Sequence, residues 1–255
     1  MFKFLIFLLY FMSACCFSAE PQWLKNTQSV LVVLAHPDDE TWLSGSLALF
    51  SQQKKHIQVI YATSGGAGKD RSGRGLSGAN LAKVREQESI AALKKLGVKL
   101  PPIFWRLDDK QLEAVDYAKQ IEQQLKSLSD KRHYELFISF GKTGITGHLD
   151  HIFIGEQTLN YWRDHQNSPY FLQVQVSDAR ANHAQKVAEK FKHPYRIYQP
   201  VANELVQLRI DVKAFQPQRV AAFNQYATQF PLSLQSLWKV FTQESSVEEF
   251  SVVKR

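Results

Sequence analysis

The chain has 255 residues, of which 44% are hydrophobic and 22% are charged, and its formal net charge is +7. This balance is typical of a globular domain and excludes a disordered, repetitive or low-complexity chain. The positive charge favours anionic partners such as phosphorylated sugars or anionic lipid surfaces, with scattered solubilising charge as the alternative. Because no zinc-finger, RNA-binding or helix-turn-helix pattern accompanies the charge, we expect no nucleic-acid partner.

Residues 1–19 are predicted to be a signal peptide, followed by one domain over residues 20–255. Lys3 precedes an apolar run that has no amphipathic period and is too short to cross a bilayer. The alternative is a lipoprotein signal, since residues 12–15 (Met-Ser-Ala-Cys) resemble a lipobox that would leave a lipid on Cys15. Both cysteines of the chain lie in this segment, so the predicted mature domain has no thiol and no disulfide. We therefore predict an exported protein, periplasmic or secreted, with membrane association through a lipidated Cys15 as the alternative.

Strand and helix patterns alternate along the rest of the chain. Ser29 to Leu34 is a continuous apolar run, as expected of a strand that is buried on both faces. The later predicted elements are a helix over 41–50, a strand over 57–63, a helix over 80–96 that Gly97 ends, a strand over 103–105, a helix over 112–128, a strand over 136–140, a helix that starts near 147, a strand over 170–176, a helix from about 181, strands over 195–198 and 204–212, a helix over 214–229 and a strand over 247–253. This alternation predicts a single α/β domain with a mainly parallel sheet flanked by helices.

The first chemical signal is the run Ala35 to Glu40 (Ala-His-Pro-Asp-Asp-Glu), directly after the first buried strand. Sites in open α/β sheets form at the carboxyl ends of strands. His36 and Asp39 can supply the nitrogen and oxygen ligands that zinc accepts, and Asp38 lies beside them. Acidic residues at a helix N-terminus are also stabilised by the helix dipole, so this run alone leaves a structural role equally open.

The second signal is the run Gly147 to His151 (Gly-His-Leu-Asp-His), which follows another predicted strand and begins a helix. His148 and His151 are three residues apart, so both can point from one helical turn into the same cleft. Catalytic zinc sites use three protein ligands and keep one position open for water. The predicted ligands are His36, Asp39 and His151.

The remaining polar residues of the two runs then have predicted roles in metal-assisted hydrolysis. Asp38 would deprotonate the zinc-bound water, and His148 would stabilise the developing oxyanion or protonate the leaving amine. Asp150 would hydrogen-bond to one of the metal-ligating side chains and so orient it. Iron, cobalt or manganese would suit the same ligand types.

The two runs resemble those of the PIG-L/LmbE-type N-acetylglucosamine deacetylases, which carry AHPDDE after the first strand and GHxDH later. The resemblance implies a Rossmann-like fold, one Zn²⁺ per chain and removal of the acetyl group from a small-molecule or glycolipid N-acetylglucosaminyl substrate. It also implies the ligand and base roles given above. Two positions depart from the family pattern: Leu149 replaces the usual proline, and Thr146 stands where some members carry a tyrosine that polarises the substrate carbonyl.

Further along, Arg85 and Glu88 resemble the family's RxxE helix, and Asp109 sits near its usual aspartate. Both helix charges project toward the apolar side of a predicted helix, which favours either an ion pair or a site. We predict that Arg85 binds substrate, through sugar hydroxyls or a phosphate.

A glycine-rich loop over 65–79 carries Lys69, Arg71 and Arg74, and we hypothesise that it is a lid favouring an anionic substrate. Two alternatives stay open: an amidase acting on another amide, such as a conjugate or a modified antibiotic, and a non-catalytic sugar-binding protein. A base beside an open zinc position would be superfluous in the second.

Overall fold

The computed structural model describes residues 20–113, 115–165, 168–194 and 199–255. The predicted signal peptide, Cys15 and the strand predicted over 195–198 lie outside the described residues and stay predictions. In the described ranges, no helix is both long enough and apolar enough to cross a membrane.

A seven-stranded sheet forms the centre of the described fold, in the order β3-β2-β1-β4-β5-β7-β6. The strands are β1 (Ser29–Leu34), β2 (His56–Thr63), β3 (Ile103–Leu107), β4 (Leu136–Phe140), β5 (Tyr170–Gln175), β6 (Leu208–Asp211) and β7 (Val247–Lys254). The first five strands are mutually parallel, and β7 is antiparallel to both β5 and β6. The predicted fold class, a single α/β domain with a mainly parallel sheet, is confirmed.

Helices lie between the strands. They are α1 (Gln22–Asn26), α2 (Ser44–Gln52), α3 (Gly78–Lys95), α4 (Val115–Ser129), α5 (Gly144–Gly147), α6 (Leu149–His165), α7 (Asp178–Lys190), α8 (Gln216–Phe223) and α9 (Leu232–Glu244), with 3₁₀ turns at Asp39–Leu43, Asn203–Leu205 and Lys213–Phe215. The helix predicted over 214–229 is wrong in its second half, because the backbone turns after Phe223 and Thr228 bonds to α3 instead. Helix α9 was not predicted.

The main core packs both faces of the sheet, and all six residues of β1 are buried. This burial explains why β1 reads as an uninterrupted apolar run. A second, smaller core lies between α7, α8 and α9, and we call it the helical cluster. Its members include Ala184, Val187, Phe223, Leu234, Leu237, Trp238 and Phe241.

Helix α6 lies unusually close to β4. A Cβ atom added at Gly155 would lie 2.4 Å from the Phe140 carbonyl oxygen, so only glycine permits this approach. This contact fixes the distance between the sheet and the N-terminus of α6. His148 and His151 lie at that N-terminus.

The sheet order reverses between β1 and β4, because the chain moves outward to β2 and β3 on one side and to β5 on the other. Such a reversal opens a crevice at the carboxyl ends of the two strands, which is where ligands bind in open α/β folds. Both predicted chemical runs leave the sheet at this crevice.

Candidate metal centre and its cavity

The loop after β1 has a strained backbone at Asp38, whose φ of 105° and ψ of −17° are uncommon for a residue with a side chain. Its conformation is stabilised by the neighbouring residues. The backbone and side chain of Thr41 both donate to the Asp38 carbonyl oxygen, at 3.1 and 2.7 Å, and Arg85 Nη2 donates to the Pro37 carbonyl oxygen at 2.6 Å. Strain of this kind clusters at functional sites, where surrounding contacts maintain it.

The three predicted metal ligands meet in the crevice. His151 Nε2 lies 3.1 Å from Asp39 Oδ1 and 3.3 Å from His36 Nδ1, and His36 Nδ1 lies 3.6 Å from Asp39 Oδ2. Zinc ligands at about 2.0–2.2 Å in tetrahedral geometry are separated by about 3.3–3.5 Å. The three side chains are thus spaced like neighbouring zinc ligands, with Asp39 facing His151 through Oδ1 and His36 through Oδ2.

The opposite ring nitrogens of the two histidines are held by acceptors. His151 Nδ1 lies 3.0 Å from the Gly144 carbonyl oxygen, and His36 Nε2 lies 3.0 Å from Asp150 Oδ2 and 3.1 Å from Asp109 Oδ1. These acceptors favour a hydrogen on His151 Nδ1 and His36 Nε2, which leaves the facing nitrogens free to bind a metal. Carboxylates and carbonyls behind ligating histidines are the usual arrangement in metal sites.

The electrostatics of the cluster also favour a cation. Burial opposes ionisation of Asp39, yet the charges and hydrogen bonds of His151 and His36 lower the pKa of its carboxyl well below the usual range. Burial likewise opposes a charge on His36, but hydrogen bonds to Asp109, Asp150 and Asp39 raise the pKa of its imidazole well above the ordinary value. His36 therefore holds its second proton tightly between carboxylates, and metal binding would release that proton.

Asp38 lies beside the ligands and against Arg85. Burial raises the pKa of Asp38 to about 6, while the Arg85 charge opposes the rise. Arg85 Nη2 lies 3.2 Å from Asp38 Oδ2, and Arg85 Nη1 donates to the Gly65 carbonyl oxygen at 2.9 Å. A carboxylate with such a raised pKa in a cleft is suited to general-base chemistry.

Arg85 also lines the cavity, so its predicted contact with substrate stays a prediction alongside this structural role. It does not pair with Glu88. The Glu88 carboxylate instead accepts from the Thr228 backbone and hydroxyl, at 2.9 and 2.5 Å, and lies 3.9 Å from Arg74. Glu88 therefore joins α3 to the segment after α8.

His148 stands half-buried at the edge of the centre, with its ring 4.8 Å from the His36 ring and 4.9 Å from the His151 ring. Ligand atoms of these three histidines lie within 4.8 Å of one another. Burial, followed by the charges of His36 and His151, lowers the pKa of His148. Its Nδ1 accepts from the Asp150 backbone N–H at 3.2 Å, so the neutral ring carries its hydrogen on Nε2.

Three buried contacts of the centre were not predicted as functional. Asp109 was placed only by its likeness to a family position, and it contacts His36 from the loop after β3. Glu40 was left without a role, although its carboxylate accepts from the hydroxyls of Tyr61 and Tyr226 at 2.7 and 2.5 Å. Burial raises the pKa of Glu40 to about 7. The position of Glu40 in the run Ala35 to Glu40 could have indicated a role in the site. Its contact with Tyr226 could not be predicted, because the two residues are 186 positions apart.

The centre opens into a cavity of about 430 Å³. Besides the candidate ligands, the cavity is lined by cationic and polar side chains that include Arg71, Lys110 and Thr146. Of the three cations predicted on the 65–79 loop, Arg71 lines the cavity, and Arg74 faces Glu88 instead. Residues of the helical cluster form the apolar part of the lining.

The fold and this centre define a Rossmann-like α/β protein with a candidate metal site at the carboxyl edge of its sheet. The sequence model of the PIG-L family, described as GlcNAc-PI de-N-acetylase, matches residues 31–162, which is 132 of the 255 residues. The chain therefore belongs to the PIG-L family of deacetylases, and the predicted resemblance is confirmed.

Two relatives support this assignment. A probable N-acetylglucosaminyl-phosphatidylinositol de-N-acetylase of Schizosaccharomyces pombe is 26% identical over 141 residues, and the match covers 53% of this chain and 52% of the relative. The chain thus matches about half of that protein's length. A probable N-acetyl-alpha-D-glucosaminyl L-malate deacetylase of Bacillus anthracis is 26% identical over 219 residues, which cover 84% of this chain and 87% of the relative.

Solved structures share the fold. An N,N'-diacetylchitobiose deacetylase from Pyrococcus horikoshii has a TM-score of 0.67 at 18% identity, covering 90% of this chain and 85% of its own. A deacetylase of the A40926 pseudoaglycone has a TM-score of 0.63 at 19% identity, covering 90% and 98%. A 4-carboxy-2-hydroxymuconate hydratase from Pseudomonas putida KT2440 has a TM-score of 0.64 at 17% identity, covering 89% and 97%. At these identities the likeness shows the fold alone, and the hydratase illustrates that one fold supports different reactions.

Proposed function

We propose that the protein is a zinc-dependent hydrolase that removes the N-acetyl group from an N-acetylglucosamine-containing substrate. The observation that carries the proposal is that His36 Nδ1 and the Asp39 carboxylate both lie close to His151 Nε2, at 3.3 and 3.1 Å, with the opposite nitrogen of each histidine held by an acceptor. A mixed nitrogen and oxygen donor set at this spacing suits zinc. When bound, zinc would act as a Lewis acid and lower the pKa of a water in the open position.

Asp38 is the proposed general base. Its Oδ2 is 3.2 Å from Arg85, so Oδ1 is the oxygen left to accept a proton from the attacking water. Arg85 and the strained loop hold the carboxylate in place, which makes Arg85 a positioning residue in addition to its predicted contact with substrate.

His148 is the proposed hydrogen-bond donor to the reacting amide. Because its Nδ1 is occupied by the Asp150 backbone N–H, its Nε2–H can donate to the oxygen that develops negative charge, or pass a proton to the leaving amine. Thr146 lines the cavity where some family members carry a tyrosine, so His148 is the imidazole on which oxyanion stabilisation would depend.

The proposed substrate class follows from the relatives, two of which are named for N-acetylglucosaminyl compounds. Arg71 and Lys110 line the polar part of the cavity, and these cations favour a substrate with an anionic group. Charge-neutralising changes at Arg71 should therefore weaken turnover of a phosphorylated or carboxylated substrate more than turnover of a neutral one.

The direct test is acetate release from a panel of N-acetylglucosaminyl compounds by the purified protein, comparing zinc-loaded with chelator-treated samples. Asp38→Ala should lower kcat by about 10²–10⁴-fold while one equivalent of metal is retained. Asp108→Ala is the matched control, because this exposed neighbour of Asp109 contacts Tyr117 and not the centre.

The outcomes separate the alternatives. Metal-dependent release that Asp38→Ala abolishes would support the deacetylase. Metal binding without acetate release from any sugar would instead favour an amidase for another amide, such as an acylated antibiotic, or a binding protein. Failure to bind metal would overturn the proposal.

We also propose that residues 1–19 direct export and that the mature protein is periplasmic or secreted. The support is the single cation followed by a short apolar run. Mass spectrometry of the protein from its native host should give an N-terminus near residue 19 or 20. A lipid-modified Cys15 would favour the lipoprotein alternative, and an intact Met1 would contradict export.

A further inference from the structure

The lining of the cavity has two chemically different parts. One consists of the candidate metal ligands and the cationic side chains described above. The other, which we call the apolar arm, is formed by six large apolar residues, namely Phe223, Phe230, Leu234, Leu237, Trp238 and Phe241. The total volume of about 430 Å³ is in the range of pockets that enclose a drug-sized ligand, and an acetamide group alone would leave much of it unfilled.

The walls of the apolar arm are preformed by aromatic stacking. The rings of Phe223 and Phe230 lie 3.9 Å apart at an interplanar angle of 4°, and the Phe223 and Trp238 rings lie 4.6 Å apart at 9°. Stacked rings in a buried cluster have few alternative rotamers, so the arm keeps its shape without a ligand. A preformed apolar cavity binds hydrocarbon without a large ordering penalty.

The chemistry of the lining also selects against a second sugar. Among these six side chains, only the indole of Trp238 carries a polar atom, and the other five cannot bond a hydroxyl. Gln229, which precedes Phe230, also lines the cavity, and its amide nitrogen donates to the Lys69 carbonyl and the Thr228 hydroxyl. Arg180 and Arg219 pack 5.6 Å from the Phe241 ring centre and 5.9 Å from that of Trp238, and neither lines the cavity. Sugar hydroxyls buried in the arm would lose their hydrogen bonds to water without replacement.

From this division we infer that the apolar arm binds a hydrocarbon chain carried by the amino-sugar substrate, while the acylated amine lies at the metal centre. The inference rests on the proposed function. All six lining residues belong to α8, α9 and the turn between them, beyond the residues that the family model matches. The arm would therefore distinguish this protein's substrate from those of relatives that share only the centre.

The test is a chain-length series with two arms, because the chain could be attached at either end of the sugar. One series consists of methyl, butyl, hexyl and octyl glycosides of N-acetylglucosamine, and the other of glucosamine with N-acyl groups from acetyl to octanoyl, all kept below micelle-forming concentrations. One of the two series should show kcat/KM rising about fourfold per added methylene until the arm is full. Chitin oligosaccharides of increasing length should show no comparable rise.

Three variants test whether the apolar arm causes the dependence of kcat/KM on chain length. Leu234→Asp should abolish the chain-length dependence, whereas Leu232→Asp should preserve it, because Leu232 lies on the same helix but is 79% exposed while Leu234 is 8% exposed. Ala184→Leu narrows the cavity without burying a charge, so it keeps the test valid if the Leu234→Asp protein fails to fold. It should move the optimum of the responding series to shorter chains while the methyl or acetyl compound retains its rate.

Failure of this inference differs from failure of the proposed function. Equal kcat/KM for short and long chains in both series would overturn the apolar arm as a substrate site and leave the deacetylase intact. A rise with oligosaccharide length instead would assign the arm to sugars and overturn the inference as well. If no compound releases carboxylate, calorimetric binding of the octyl glycoside decides. Binding that Leu234→Asp removes and Leu232→Asp keeps would support the arm, and absence of binding would overturn it.

Discussion

The two carboxylates behind His36 allow a quantitative test of how the centre is organised. His36 Nε2 carries one hydrogen, yet Asp150 Oδ2 lies 3.0 Å away and Asp109 Oδ1 lies 3.1 Å away. Either carboxylate alone can therefore orient the ring and increase its basicity. We predict that Asp109→Asn and Asp150→Asn compensate for each other in metal binding.

The magnitude follows from this redundancy. Loss of an outer-shell partner ordinarily weakens metal affinity about 10–100-fold. Since the second carboxylate remains in each single variant, we expect each to weaken zinc binding by about fivefold or less. The double variant should approach about 100-fold, which corresponds to a coupling free energy of about 1 kcal/mol.

Competition for zinc against a chromophoric chelator at fixed pH and ionic strength would measure the four affinities. In Asp109→Asn the remaining oxygen can still accept from the Ala67 N–H, which the native carboxylate binds at 2.7 Å. In Asp150→Asn one oxygen can accept from both the Lys110 N–H and His36, as Oδ2 does in the native protein, so this variant removes the negative charge behind His36 and keeps the hydrogen bonds. Asp108→Asn is the matched control and should leave affinity unchanged. The redundancy would be refuted if the losses of zinc-binding free energy in the two single variants added up to the loss in the double variant. It would also be refuted if one single variant bound zinc as weakly as the double variant.

The remaining predictions concern stability and pH. Gly155→Ala should destabilise by about 1–3 kcal/mol, because its methyl would meet a β4 carbonyl, whereas Asn160→Ala on the exposed face of the same helix should not destabilise. Thermal unfolding of the two variants measures this, and equal stabilities would contradict the close approach. Glu248→Gln should cost about 3 kcal/mol, because it leaves the guanidinium of Arg219 buried without its counter-charge; a denaturant midpoint like the wild type's would argue against this ion pair. In the zinc-loaded enzyme, kcat/KM should fall on the acid side of the pH profile, since Asp38 must be ionised to accept a proton. Burial raises the pKa of Asp38 to about 6, and the charge of a bound metal would move the fall to a lower pH. A profile with no fall between pH 7 and the pH at which zinc is lost would exclude Asp38 as the base.

The meeting of these side chains in one crevice was predictable because they follow strand ends directly. His36 and Asp39 come after a strand whose apolar run is continuous, and His148 and His151 share one helical turn, so spacing alone brings each pair to the crevice. Asp109 could not be placed in this way, because its contact with His36 depends on the register of β3 beside β2. Glu40 shows the same limit, since the two tyrosines that bind it are separated by most of the chain.

The boundaries in the last third were harder to predict for a different reason. The apolar residues after α8 continue a helical spacing in the sequence, but Thr228 satisfies Glu88 and ends the helix early. In α9, the apolar residues do follow a helical period, namely Leu234, Leu237, Trp238 and Phe241, so this helix could have been predicted from the sequence. The end of α8 depends on a tertiary contact, whereas the local pattern was sufficient for α9.

The position of β7 has a consequence for how the protein folds during synthesis. In the described sheet, β6 pairs with β7 alone, and β7 also pairs with β5, which precedes it by more than seventy residues in the numbering. Strands β1 to β5 and helix α6, with the whole histidine and aspartate cluster, are synthesised before β6 and β7. The side chain of Glu249 on β7 then accepts from the Ser177 backbone and hydroxyl at the start of α7, at 2.7 and 2.9 Å. A nascent chain thus completes the strands that carry the candidate ligands before α8, α9 and β7 are synthesised.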